Sequence, residues 1–365
     1  MIVIFLSGYE NRYRANILNT LGLPKGVANA YEYSTRDEQP NVGKENLEKL
    51  GAASAGTPVL FVYIDRFAKG GYRYIPVREG ALLHSSAADR VRVTVAMGDH
   101  VTCRDEDGFQ KTLAAALEGR RMPALAATGP NEKNDGEYVV VDVDTSGVAY
   151  EKVGVDAWSD VARRLSMTTA MKSTTVRAVV FMCLTVHHAS EAGELVEVEG
   201  GGETKGKLLL FEGTNYKLRI RYLFPIVGIN SGASHRISVT LGPALAAGGP
   251  SEVPVGAAER TEEFAFKAAT RQNEPDSFLT IEAGATSSLQ GPPVEILAPT
   301  LSVRVRLKTR SVVVLTYYLF LVVYILGMVA RAVVAGHDFL SAFLAEALVG
   351  LALFGLFRLF GMKPI

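Results

Sequence analysis

The stretch GGETKGKL at 201–208 places Gly201, Gly206 and Lys207 in the spacing G-x-x-x-x-G-K. In a phosphate-binding loop this spacing wraps backbone N–H groups around phosphate, and a following Ser or Thr holds magnesium. Leu208 stands in that place here, and LLLF continues with a strand pattern where a helix N-terminus is required. The stretch therefore reads as a hairpin loop, and nucleotide hydrolysis is not expected. His187, His188 and Glu191 in HHASE are potential metal ligands, but no HExxH and no remote histidine cluster supports them. They are expected to end a strand. RDEDG at 104–108 is too short for a calcium loop and is expected to cap a helix. Asp142 and Asp144 sit at i and i+2, which on a strand would put both carboxylates on one solvated face. Cys103 and Cys183 form no CxxC pair and are expected to be buried free thiols. No GxSxG is present. The expectation is a non-enzymatic protein with no catalytic, metal or cofactor-binding residues.

Glu346 is a different kind of candidate. It lies in FLAEALVGLALF, inside one of two long apolar runs. The first run, residues 311–330, has 20 residues without a charge. As a helix it would be about 30 Å long, the thickness of a bilayer's hydrocarbon core. The second covers 339–357. Between them Gly336 can end one helix and Asp338 can cap the next. The expectation is a transmembrane hairpin with helices at about 311–331 and 339–358. Arg304, Arg306, Lys308 and Arg310 precede it, Arg358 and Lys363 follow, and only Arg331 lies at the tip. The positive-inside rule then puts both termini in the cytoplasm of an inner-membrane, multi-pass protein.

Ala342, Glu346 and Gly350 are spaced by four and share one helical face. Small residues favour close helix packing in lipid, and a carboxylate there must face protein or water. Equal counting from the hairpin tip places Tyr324 at the depth of Glu346, as a hydrogen-bond partner. Glu346 is expected either to pack an oligomer or to line a path through one.

The supporting elements are mainly β with some α. MIVIFLSGY has no basic leader and is followed by the charges of ENRYR, so it is read as a strand and not a signal peptide. NRYRANILNTL spaces Tyr13, Ile17 and Leu21 by four, as a helix does. VLFVYID and YRYIPVR flank a KGG turn and predict a hairpin. FQKTLAAALEG and VDAWSDVARRL are further helices, the first burying Phe109, Leu113 and Leu117, the second Val155, Trp158, Val161 and Leu165. EYVVVDVD reads as a strand, and AATGPNEKNDGE as a loop. Residues 1–168 are expected to form a mixed α+β cytosolic domain, mostly antiparallel sheet.

Residues 169–310 carry seven or eight short strands separated by turn residues, the pattern of an immunoglobulin-like β-sandwich. YKLRIRYLF turns Leu218 and Ile220 inward and Arg219 and Arg221 outward. The last strand, LSVRVRLK, alternates in the same way, with its basic residues on the outer face, placed to meet a membrane surface. Residues 311–365 complete the chain as the hairpin.

Formal net charge is zero, so nucleic acid is not an expected partner. The layout resembles, at the level of architecture, bacterial membrane effectors that join a cytosolic sensing module to a short hairpin, some acting in antiphage defence. The resemblance implies an effector whose β-domains receive a protein or small-ligand signal. Clustered hairpins of a homo-oligomer would then perturb the lipid bilayer. The alternative is a membrane-tethered adaptor whose hairpin is only an anchor. A third reading is an enzyme with an unrecognised pocket in residues 1–168.

Overall fold

In a computed structural model the described residues are 1–7, 11–34, 44–65, 73–87, 90–118, 137–166, 178–189, 196, 198, 206–223, 235–255, 259–269, 276–285, 296–297, 299–308, 324 and 327. They form a mainly β structure with few helices. The first half is one sheet built from β1 (Ile2–Ser7), β2 (Ala28–Ser34), β3 (Pro58–Asp65), β4 (Arg73–Ala87), β5 (Arg90–Thr102), β6 (Tyr138–Val140) and β7 (Glu151–Val153). The strand order is β2-β5-β4-β3-β1-β6, with β7 added beside β5. All pairings are antiparallel except β1 with β3. That parallel pair requires a crossover, which α1 (Asn11–Gly22), β2 and α2 (Lys44–Ala52) supply.

The apolar run IVIFL follows from β1's central place. Val3 and Phe5 join a core against α3 (Glu106–Ala116), while Ile2, Ile4 and Leu6 join the opposite core. A strand covered on both faces has no polar alternation to show. Ile17, Leu18 and Leu21 of α1 pack in the second of these cores, as do Trp158, Val161 and Leu165 of α4 (Trp158–Ser166). Val155 is only half-buried, in a short 3-10 turn ahead of α4.

The second half contains a short parallel pair, β8 (Ala178–Val179) with β17 (Ile296–Leu297), and two larger sheets. One has the order β10 (Leu208–Phe211), β18 (Thr300–Lys308), β16 (Asp276–Ala285), β12 (His235–Leu241), β14 (Glu252–Val255). The other runs β13 (Leu245–Ala247), β15 (Glu259–Ala268), β11 (Asn215–Leu223), β9 (Phe181–His188). The inward residues of both belong to one core, among them Leu218, Ile220 and Phe264 from one sheet and Ile281, Val303 and Val305 from the other. The alternation expected in YKLRIRYLF and LSVRVRLK is present in their burial. The short strands β13 and β14 were not foreseen.

This core is continuous with the α1 side of the first sheet. The two halves meet where the last residue of α1, Gly22, presses on β9 and β18. A Cβ on Gly22 would stand 2.6 Å from the Met182 carbonyl oxygen and 2.7 Å from Leu301 Cδ1. The contact is therefore open only to glycine. Ala28 N–H donates to Gly206 O across the same seam, 2.9 Å. Arg221 donates to Val155 O at 3.1 Å, and Arg163 pairs with Glu259.

The expected inner-membrane, multi-pass localisation with two spanning helices and cytoplasmic termini is corrected. Among the described residues no helix is long and apolar enough to cross a membrane. α1 and α3 have 12 and 11 residues, and α2 and α4 have 9 each, whereas a span takes about 20. The helices expected at 311–331 and 339–358 lie outside the described residues, apart from Tyr324 and Gly327.

Candidate functional site

The residues singled out in the sequence fall into ordinary structural roles. Lys207 pairs with Asp276 at 2.9 Å, and Leu208 begins β10, so no helix follows the glycines. Gly206 takes φ +78°, as a tight turn into a strand favours. HHASE does end a strand: His188 is the last residue of β9 and its ring lies 5.0 Å from Tyr216. His187 is buried, with Nε2 2.9 Å from Thr185 Oγ1. Asp105 caps α3, accepting from Gly108 N–H at 2.9 Å. Asp142 and Asp144 share no strand face. β6 stops at Val140, Asp142 turns to φ 58°, and Asp144 accepts from Ser146 N–H. Cys103 and Cys183 are buried free thiols.

Of the hairpin residues, Ala342, Glu346, Gly350 and Arg310 lie outside the described residues. Tyr324 is helical and half-buried, and its hydroxyl is enclosed without a partner among the described residues. Arg304 and Lys308 are exposed on the outer face of β18, with Arg306 half-buried between them. Phe278 stands opposite Arg304 on β16 and is 42% exposed.

The structure assembles a different site at the seam. A cavity of about 610 Å³ lies between the C-terminal end of α1, strands β4 and β5, and β9. Three side chains give it chemistry: Arg78, His100 and Cys183, each less than 5% exposed. Their placement follows from register. Arg78 and His100 are direct partners across β4 and β5, so both side chains leave the sheet on the same side. The pairing of β4 shifts on both flanks of Arg78, against β3 between Phe61 and Val62 and against β5 between Arg78 and Gly80. Such bulges bend a strand and re-aim its side chains. On β9, Val186 and Leu184 pair with Leu218 and Ile220 and point into the sandwich core. Cys183 and Thr185 alternate with them and so point outward, into the cavity wall.

Arg78 and His100 close the C-terminus of α1. Arg78 Nη1 donates to Thr20 O at 2.6 Å and Leu23 O at 2.7 Å, and Nε donates to Gly98 O at 3.0 Å. His100 Nε2 donates to Leu21 O at 2.9 Å. A helix end leaves its last carbonyls without partners and carries about half a negative charge. These two side chains meet both needs.

Among these three buried side chains the electrostatics leave one cation and two neutral groups. Burial lowers the Arg78 guanidinium to about 10, so it stays charged at neutral pH. Burial, then the Arg78 charge, lowers His100 to about 3, so its imidazole is neutral. Burial pushes the Cys183 thiol up to about 12 despite the charge of Arg78, so it is not a thiolate. A protonated thiol is a poor nucleophile, and a base titrating at about 3 accepts no proton near pH 7. At the mouth Lys25 and Asp99 pair at 2.8 Å. Asp156, paired with Arg221 at 3.3 Å, also borders the cavity, and the rest of the wall is largely apolar, including Met97, Val155, Val196 and Val198. Among the described residues no group of three or more His, Cys, Asp or Glu could hold a metal.

Sequence reasoning did not find this site. Arg78 sits alone in a strand pattern, and its partners are backbone carbonyls 55 and 58 positions away. One signal was available: β9 reads FMCLTV, with no charged residue on either face. A strand of that kind must be covered twice, so its outward face has a partner layer. The chain matches no protein-family model, and no curated protein matches it in sequence.

Proposed function

We propose that this is a non-enzymatic, ligand-receiving protein whose small-molecule site is the seam cavity. The observation that carries the reading is that both halves wall the cavity while its buried imidazole and thiol, His100 and Cys183, are held neutral. The volume falls within the range of small-molecule sites, about 300–1,000 Å³. Apolar walls with a few fixed polar groups are the composition of a binding site. A ligand there touches the end of α1 and β9 at once, so its binding energy acts directly on how the two halves sit together. That fits the sensing role expected of an α+β domain followed by an immunoglobulin-like sandwich. Permeabilisation by clustered spanning helices is not carried forward, because it needs helices of a length that no described helix has.

The test is a thermal-shift screen of a broad metabolite collection on the full chain and on Val155→Trp, which fills the cavity. A ligand at one hundred times its Kd contributes about 2.7 kcal/mol, a shift of about 3 °C for a chain of this size. At least one compound should raise the wild-type Tm by that amount and leave Val155→Trp unmoved. A screen with no such compound, or equal shifts in both proteins, overturns the reading.

A second reading, an adaptor, is favoured by the outer face of β18. There Phe278 stands exposed beside Arg304, an arrangement suited to an acidic partner with an apolar anchor. Phe278→Ala should then abolish partner retention while leaving stability within about 0.5 kcal/mol.

A further inference from the structure

We infer that the seam cavity selects an anion: a small molecule carrying a carboxylate or phosphate on an apolar body, its charge docked on Arg78. The inference rests on reading the cavity as the ligand site and names the class of ligand it takes.

The first observation is what Arg78 does not have. Nε and Nη1 make all its hydrogen bonds, and Nη2 has no partner among the described residues. No carboxylate among the described residues lies within ion-pair distance of it. The carboxylate that acts on its charge is Asp99, and Asp99 is held by Lys25 at the mouth. Arg78 as a whole is 1% exposed, and Nη2 is not an enclosed atom, so what surface it has opens on the cavity. Carbonyl oxygens are dipoles and carry no net charge. The end of α1 offsets about half a unit. Roughly half a positive charge is left facing the cavity, and a buried ion without a counter-ion is unfavourable.

The second observation is geometric. The three bonds to fixed carbonyls lock the guanidinium plane before any ligand arrives. An anion meeting Nη2 therefore pays no ordering entropy on the protein side, and a planar or tetrahedral oxyanion suits the donor. The imidazole is neutral, the thiol is protonated, and Thr185 Oγ1 is turned to His187, while the two carboxylates of the lining are each paired, Asp99 with Lys25 and Asp156 with Arg221. The same field repels a cationic ligand. A neutral apolar ligand fills the walls but leaves the guanidinium unpaired.

The probes are octanoate, octyl phosphate, octanol and octylamine, which share one apolar body and differ in the head group. Binding is measured by titration calorimetry on the full-length wild type and on Val196→Trp, which narrows the cavity without touching the cation. The wild type should bind octanoate or octyl phosphate at least tenfold more tightly than octanol and octylamine, and Val196→Trp should lose all four. The stronger of the two anions identifies a carboxylate or a phosphate ligand. Arg78→Lys, where it folds, should reduce the anion preference at least tenfold. Where it does not fold, competition by added chloride on the wild type gives the same reading, weakening the anions and sparing octanol. Equal binding of all four, or a preference for octanol, overturns the anion inference and leaves the ligand-site reading standing. Binding that Val196→Trp does not reduce, or no binding of any probe, overturns both.

Discussion

Arg78 and Arg304 each follow a buried valine on a strand, Val77 and Val303, yet they do opposite work. Arg304 alternates with buried Val303 and Val305 and points its charge into water, where a guanidinium needs no fixed partner. Arg78 points the other way, into the seam, and is held by three carbonyls. The outer face of β18 looks functional in the sequence because its charges repeat. The seam looks like nothing there, because Arg78 belongs to no repeat of charges. A charge is informative where solvent cannot satisfy it, and linear sequence does not report that.

The same substitution at both places breaks the comparison most sharply. Arg78→Met leaves carbonyls of Thr20, Leu23 and Gly98 without donors in a buried setting and uncaps α1. The expected loss is about 3–5 kcal/mol. Arg304→Met should change stability by less than about 0.5 kcal/mol. Urea denaturation of the two variants beside wild type measures both. Equal losses would mean that Arg78 is not a structural cation.

Gly22→Ala tests whether the seam is as tight as the core. Alanine favours a helix over glycine by about 1 kcal/mol, so propensity alone predicts stabilisation. The new Cβ would meet the Met182 carbonyl oxygen at 2.6 Å, and that atom is backbone in a paired strand. Overpacking of this kind costs about 1–3 kcal/mol, and we expect a net loss of about 1 kcal/mol by the same denaturation assay. Gly51, with nothing within 4 Å of an added Cβ, is the control and should be neutral or better as Ala.

His100 extends the test to pH. Its folded-state value is lowered from 6.5 to about 3, so below pH 6.5 the unfolded chain binds a proton that the folded chain refuses. The stability from this group is complete above pH 6.5 and is lost as pH falls towards 3. Between pH 6.5 and 5 the loss is about 2 kcal/mol at 1.36 kcal/mol per unit. His100→Gln can still donate to Leu21 O but does not titrate, so its stability over that interval should be flatter. Parallel curves for the two proteins would contradict a buried neutral imidazole.

Local patterns were legible and long-range ones were not. Asp105 as a cap, the helical faces of Phe109, Leu113 and Leu117, and the alternation in β11 and β18 depend on neighbours within a few positions. The strand expected through DVD failed because Asp142 adopts a left-handed backbone that alternation does not encode. The seam failed for a topological reason. Arg78, His100 and Cys183 meet only after β4 pairs with β5 and β9 docks on α1. Hydropathy draws attention to 311–365, where length and apolarity read as a membrane signature, but apart from Tyr324 and Gly327 that segment lies outside the described residues, and the described helices are all 12 residues or shorter.

Glu106 gives the smallest effect and marks where charge stops mattering. It bridges Arg73 and Arg164, joining the start of β4 to the end of α4. Burial raises its carboxyl, but hydrogen bonds and charge from the two arginines outweigh this and hold it below the usual carboxylate range. Its stabilisation is therefore present above pH 4.5 and is lost as pH falls through the lowered value. The side chain is 39% exposed, so solvent screens most of the attraction, and Glu106→Gln should lose less than about 1 kcal/mol at pH 7. The acid limb of its stability curve below pH 4.5 should be shallower than that of wild type, and 0.5 M salt should narrow the gap between them. Salt should leave the Arg78→Met deficit nearly unchanged, because that deficit comes from unpaired buried carbonyls and not from a screened ion pair.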